Sequence, residues 1–198
     1  MRGRVIKKFF SILLTLLVLS GCEQKTAWRL TDVSGKLPQL DFNLTDTQGR
    51  MRHGADFRGK VTLLFTGFTH CPGVCPATLA RLATVLEEIE GSREHIQVLF
   101  VSLDPERDRP EVLQSYVERF GPWFIGLTGG KAQLDALVQR YFLSYRKESS
   151  KMGGDYDVIH SDIVLIFDRR GNARLLARGS SLPADLRADL ERLVEEAT

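Results

Sequence analysis

The sequence predicts an α/β fold, a mixed sheet flanked by helices, on three observations. Two dense apolar runs, residues 61–68 and 96–103, are separated by a stretch with helical apolar period. Two further apolar runs, 163–167 and 173–176, flank Asp168-Arg169-Arg170-Gly171, a composition that turns one strand back on its neighbour. The chain has 198 residues, 43% hydrophobic and 26% charged, with no repeat or low-complexity tract, which is ample for one buried core.

Taken in order, the chain opens with Arg2, Arg4, Lys7 and Lys8, followed by an apolar run over 9–19. That run is well short of the roughly 20 residues that cross a bilayer. A basic start, a short apolar stretch and the small residues Ser20 and Gly21 predict a secretory signal peptide over 1–21. Leu19-Ser20-Gly21-Cys22 resembles a bacterial lipobox, so Cys22 is expected to become the lipid-bearing first residue of the mature protein. Losing the four basic residues takes the side-chain charge from +2 to −2, and nothing in that balance invites nucleic acid. The expected location is the bacterial cell envelope, as a membrane-anchored lipoprotein with its domain facing the periplasm.

Residues 22–38 are mostly polar and include Gly35 and Pro38, which reads as a lipid-anchored tether, leaving 39–198 as the folded domain. Residues 40–44 alternate apolar and polar as a half-buried strand does, and 47–50 would turn it back. The run 61–68 suits a central parallel strand covered on both faces. Leu79, Leu82, Val85, Leu86 and Ile89 recur at spacings of three and four, giving a helix over 77–90 that Gly91 ends. With 96–103 as a second buried strand, these make a right-handed βαβ unit. Asp108 is placed to cap a helix over 109–120, with Pro110 in its first turn. A strand at 124–127, a helix at 131–141, a long polar loop at 144–159, the hairpin and a helix at 183–196 complete the chain. This is the order of thioredoxin, in its peroxiredoxin-like variant, with an added N-terminal strand region and an inserted helix.

The chemistry centres on Cys71 and Cys75, directly beyond the first buried strand and at the start of the first helix. A helix N-terminus favours thiolate over thiol, and two adjacent thiolates are soft ligands that select Cu(I) over hard cations. The same pair can close into a disulfide and act as a redox couple. With Cys22 lipidated only these two cysteines remain, which excludes a zinc site of four cysteines. Among the four histidines, His70 abuts Cys71 and should point away from the pair, while His53 and His95 lie in polar surroundings. His160 differs, because it precedes the apolar strand at 163–167, near the crevice that forms beyond strand ends.

Four blocks, residues 66–76 around Cys71 and Cys75, 101–110, 124–129 and 156–161 around His160, together resemble the SCO/SenC family, over about residues 37–196. The resemblance implies a thioredoxin-like fold and a copper ion, Cu(I) or Cu(II), held by Cys71, Cys75 and His160. It further implies a metallochaperone rather than an enzyme, assisting maturation of the binuclear copper site of cytochrome c oxidase. The partner would then be the copper-bearing subunit of the oxidase, or another exported copper protein, met at the membrane through the lipid anchor. Two positions depart from the family pattern: Gly73 stands where an aspartate is usual, and Ile159 where an acidic residue is frequent. The alternative is a thiol–disulfide oxidoreductase with Cys71 and Cys75 as catalytic residues. Three intervening residues, rather than two, and Ile159 in place of the thioredoxin proline weigh against it. A peroxidase is the least favoured, since Thr69 only loosely imitates the peroxiredoxin threonine. The block 104–108 reads as a solvated loop plus a helix cap, and Trp123 as core.

Overall fold

Strand formation at the centre of the molecule follows the apolar runs of the sequence, and the widest sheet has eight strands, with short polar ones at its edges. The computed structural model describes residues 27–149 and 156–196. The expectations for a signal peptide over 1–21 and a lipidated Cys22 lie outside the described residues. In chain order the strands are β1 (Thr31–Asp32), β2 (Asn43–Asp46), β3 (Met51–His53), β4 (Val61–Gly67), β5 (Ile96–Ser102), β6 (Phe124–Thr128), β7 (Tyr145–Glu148), β8 (Asp157–His160), β9 (Ile163–Phe167) and β10 (Ala173–Arg178). The helices are α1 (Val74–Glu87), α2 (Ser92–His95), α3 (Pro110–Glu118), α4 (Lys131–Arg140) and α5 (Pro183–Glu195), with a 3₁₀ turn at Gly54–Phe57. No helix among the described residues is long and apolar enough to cross a membrane.

The main sheet runs β1-β10-β9-β4-β5-β6-β2-β3, and β7 and β8 form a separate two-stranded sheet. At its centre β4 pairs in parallel with β5, and β5 with β6, while β9 runs antiparallel to β4. All seven residues of β4 are buried, as expected for a strand covered on both faces. Helix α1 packs on α5, α3 on β6 and α4 on β2. The β9–β10 hairpin turns where expected: Asp168 Oδ1 accepts the N–H groups of Arg170 and Asn172, and Gly171 adopts φ 82°.

Four expectations shift. The strand expected at 40–44 lies instead at Asn43–Asp46, because Leu40 and Phe42 are buried through irregular backbone whose N–H and C=O bond to Gly171 and Gly54. Residues 28–33, within the stretch read as tether, pack on the domain: Thr31 and Asp32 pair with β10, and Arg29 and Leu30 give their N–H groups to the buried Asp189 carboxylate. The polar stretch at 144–159 is not all loop, since Tyr145–Glu148 pairs antiparallel with Asp157–His160. Its strands read as loop because they are mostly polar and lack full burial on either face. Asp108 does not cap α3; its carboxylate turns inward, and Arg109 holds the cap position without a side-chain bond.

Candidate metal centre

Because β9 runs antiparallel to β4, with Phe65 opposite Val164, the end of β4 and the start of β9 lie at the same edge of the sheet. The chain reaches the two cysteines just after β4 and His160 just before β9, so one register brings Cys75 and His160 together, 85 positions apart. The ligand-capable atoms of Cys71, Cys75 and His160 all lie within 4.8 Å of one another. Cys75 Sγ is 3.2 Å from His160 Nε2. Cys71 and Cys75 form no disulfide, Cys75 being buried and Cys71 half-buried.

Each of the three side chains is fixed locally. Cys71 closes a turn by donating its N–H to Phe68 O at 3.3 Å, and its sulfur accepts the Cys75 N–H at 3.4 Å from the first turn of α1. Cys75 sits over Gly67, where a side chain would meet the Cys75 sulfur at 2.6 Å, so the bare backbone of β4 makes its pocket. His160 Nδ1 lies 3.1 Å from Ser161 O, which turns Nε2 toward the sulfurs. Its ring is wedged edge-on between Phe65 and Phe68, at centroid distances of 5.9 and 6.2 Å.

The two thiols titrate as a pair. Cys71 is pulled down to about 3, first by the hydrogen bond from Cys75, then by the His160 imidazole and the backbone N–H groups of Cys75 and Gly73, together outweighing burial. Cys75 moves up, because it donates to Cys71, is buried and faces the Cys71 charge. The metal-free site therefore presents one thiolate and one thiol beside an imidazole, a soft donor set.

His53 is exposed and bonded to Asn43, and neither it nor His95 joins the cluster. His70 is half exposed and leans toward Asp108, away from the sulfurs, as expected. The block 104–108 is a correction. Asp104 and Asp108 are fully buried, not solvated. Asp104 receives Arg107 Nε–H at 2.5 Å and the Tyr156 hydroxyl at 2.6 Å, while Asp108 receives Thr69 and Ser102. The signal available was position: two aspartates shortly after a mostly apolar strand, at the sheet edge that carries the cysteines. Trp123 is core, as expected, with its Nε1–H on Ser92 Oγ at 3.1 Å.

Fold and site together define a thioredoxin-like domain whose strand ends gather two cysteines and a histidine into a place fit for a soft metal. The SCO1/SenC family model matches residues 32–195, and the chain belongs to that family. Among relatives, the mitochondrial SCO2 homolog of Bos taurus is 38% identical over 135 residues, 67% of this chain and 51% of that protein. The chain thus spans about half the length of that relative. Among solved structures, Arabidopsis thaliana ScoI with copper bound superposes with a TM-score of 0.74 at 30% identity, covering 80% of this chain and 98% of that one. Apo Sco1 from Thermus thermophilus gives 0.71 at 35% identity, over 84% and 99%.

Proposed function

We propose that this chain binds copper through Cys71, Cys75 and His160 and assists assembly of the binuclear copper site of cytochrome c oxidase. The observation that carries the reading is the convergence of two sulfurs and an imidazole nitrogen within 4.8 Å at one sheet edge. Thiolate and imidazole suit Cu(I), and a partly exposed Cys71 gives a partner's ligands a side from which to take the ion. The copper held by the Arabidopsis relative supports the same assignment. The copper-bearing oxidase subunit, or another exported copper protein, is the proposed partner. The Leu19–Cys22 motif supports cleavage after residue 21, lipid on Cys22, a membrane tether and a periplasmic domain.

Copper loading of wild type and of Cys71→Ser, Cys75→Ser and His160→Ala tests this. Wild type is expected to hold Cu(I) tightly and to show thiolate-to-Cu(II) charge transfer, and each variant to lose both. A His160→Ala protein that holds copper as tightly and selectively as wild type would sink the three-ligand assignment.

A second reading, reduction of cysteines in an exported partner, is favoured by one observation: Cys71 is a thiolate with a protonated thiol beside it, as an attacking and resolving pair requires. Trapping with Cys75→Ser checks it. Failure to capture any envelope protein as a mixed disulfide on Cys71 would count against this role and leave copper handling as the function.

A further inference from the structure

Asp108 is fully buried, and its carboxylate holds Thr69, on the approach to Cys71, through two hydrogen bonds, with the His70 ring 3.5 Å away. Oδ2 accepts the Ser102 hydroxyl at 2.5 Å, from the end of β5, and the Thr69 N–H at 2.9 Å. Oδ1 accepts the Thr69 hydroxyl at 2.6 Å. Thr69 is the second residue of the turn that the Cys71 N–H closes onto Phe68 O. One buried carboxylate thus grips, through backbone and side chain together, the residue that decides where the turn delivers the Cys71 sulfur. The grip is anchored, since the Asp108 N–H donates to Asp104 O at 2.9 Å. The Asp104 carboxylate and the Arg107 guanidinium hold Tyr156, four residues before His160. Burying a carboxylate costs several kcal/mol unless its lone pairs are filled by good donors, and a helix cap at α3 would require no such burial.

We infer that Asp108 is a positioning residue for Cys71, acting through Thr69 to hold the sulfur within reach of Cys75 and His160. The inference deepens the copper and thiol reading and rests on it for the affinity arm of its test. Mutating the partners that orient a metal ligand costs about 10–100-fold in affinity, and that range is expected here.

The test compares Asp108→Ala, Asp108→Asn, Thr69→Val and the Asp108→Ala/Thr69→Val double variant with wild type, each as the full chain. Cu(I) competition and the Cys71–Cys75 disulfide potential in a dithiol redox buffer are measured. Asp108→Ala and Thr69→Val should each weaken Cu(I) binding by about tenfold or more. Each should also make the disulfide less stable, moving its potential about 30 mV positive per tenfold. The double variant should be no worse than Asp108→Ala alone, because both changes break one link. Asp108→Asn should stay near wild type: its carbonyl can accept the Thr69 N–H and Ser102 O–H, and its amide can donate to Thr69 Oγ1.

If Asp108→Ala does not fold, Thr69→Val carries the test from its half-buried position on the turn. Leu190→Ala, buried in α5, controls for general destabilisation and should leave both readouts unmoved. Additive effects in the double variant, an Asp108→Asn protein as impaired as Asp108→Ala, an unchanged Thr69→Val, or an equally impaired Leu190→Ala would each overturn the inference. The potential is read without metal. A wild type that binds no Cu(I) would therefore sink the copper reading while the Asp108 question is still decided.

Discussion

Gly67 is where the smallest change in covalent structure reaches the site. A Cβ there would stand 2.6 Å from Cys75 Sγ and 2.9 Å from Phe100 Cε2, both on fully buried side chains. Gly67→Ala must therefore move Cys75, and overpacking of this kind costs about 1–3 kcal/mol. The expected outcome is a lower denaturant midpoint together with weakened copper retention. Gly73, between the cysteines, is the contrast: a Cβ there meets nothing within 4 Å, so Gly73→Ala should change stability by no more than about 0.5 kcal/mol. The departure at Gly73 from the family's usual aspartate thus removes a charge from the rim without filling or emptying any space. A second residue-scale prediction concerns protons. The Cys71 thiol is depressed to about 3, so its thiolate is present above that pH and is lost only as pH falls through it. Alkylation of the metal-free protein at Cys71 should keep its rate from about pH 8 to about pH 5. An ordinary cysteine, with a pKa of about 8.5, would slow by about tenfold per unit over the same range. Such a slope in peptide-mapped rates would refute the thiolate.

At the scale of elements, the run 104–108 links the two arms of the site. The Arg107 guanidinium lies 3.8 Å from the centre of the Tyr156 ring and 5.7 Å from that of Phe68, donates to Tyr156 O at 2.9 Å and neutralises buried Asp104. Arg107→Ala leaves that carboxylate without its main cation and should cost about 3 kcal/mol. It should also speed amide exchange in β8 more than in β5, and uniform acceleration across both strands would contradict the link. Much of this architecture was legible in the chain. The helical spacing of Leu79, Leu82, Val85 and Leu86, the apolar runs of β4, β5 and β9, and the Asp168–Gly171 turn are local signals, and each element formed within a few residues of its expected place. The β7–β8 ribbon was not legible, since Tyr145-Arg146-Lys147-Glu148 shows no buried face and its pairing depends on a partner strand supplied by tertiary contact. Asp104 and Asp108 were misread for a related reason. Aspartates in a charged run after a strand look solvated, and only the positions of Thr69 and Tyr156 in space reveal that they are enclosed.

On the scale of the whole molecule, the three candidate ligands join parts of the chain that nothing local would bring together. Cys71 and Cys75 belong to the β4–α1 corner, whereas His160 closes the β7–β8 ribbon 85 residues after Cys75. Copper bound by all three would therefore act as a cross-link present in the folded state and absent from the unfolded one. Ligand that binds only the native state adds about 2.7 kcal/mol at a hundredfold excess over its Kd. For a chain of this size that corresponds to a rise in Tm of roughly 5–10 °C. The unfolded chain, however, keeps Cys71 and Cys75 four residues apart, and that pair can still hold Cu(I) with two sulfurs. Copper held by the sulfurs alone would bind both states and shift Tm little, so the shift measures the contribution of His160. Calorimetry of wild type and His160→Ala, each with and without Cu(I), should show the full rise in wild type and little in the variant. An equal shift in both, whatever its size, would mean that the β7–β8 ribbon takes no part in binding the metal.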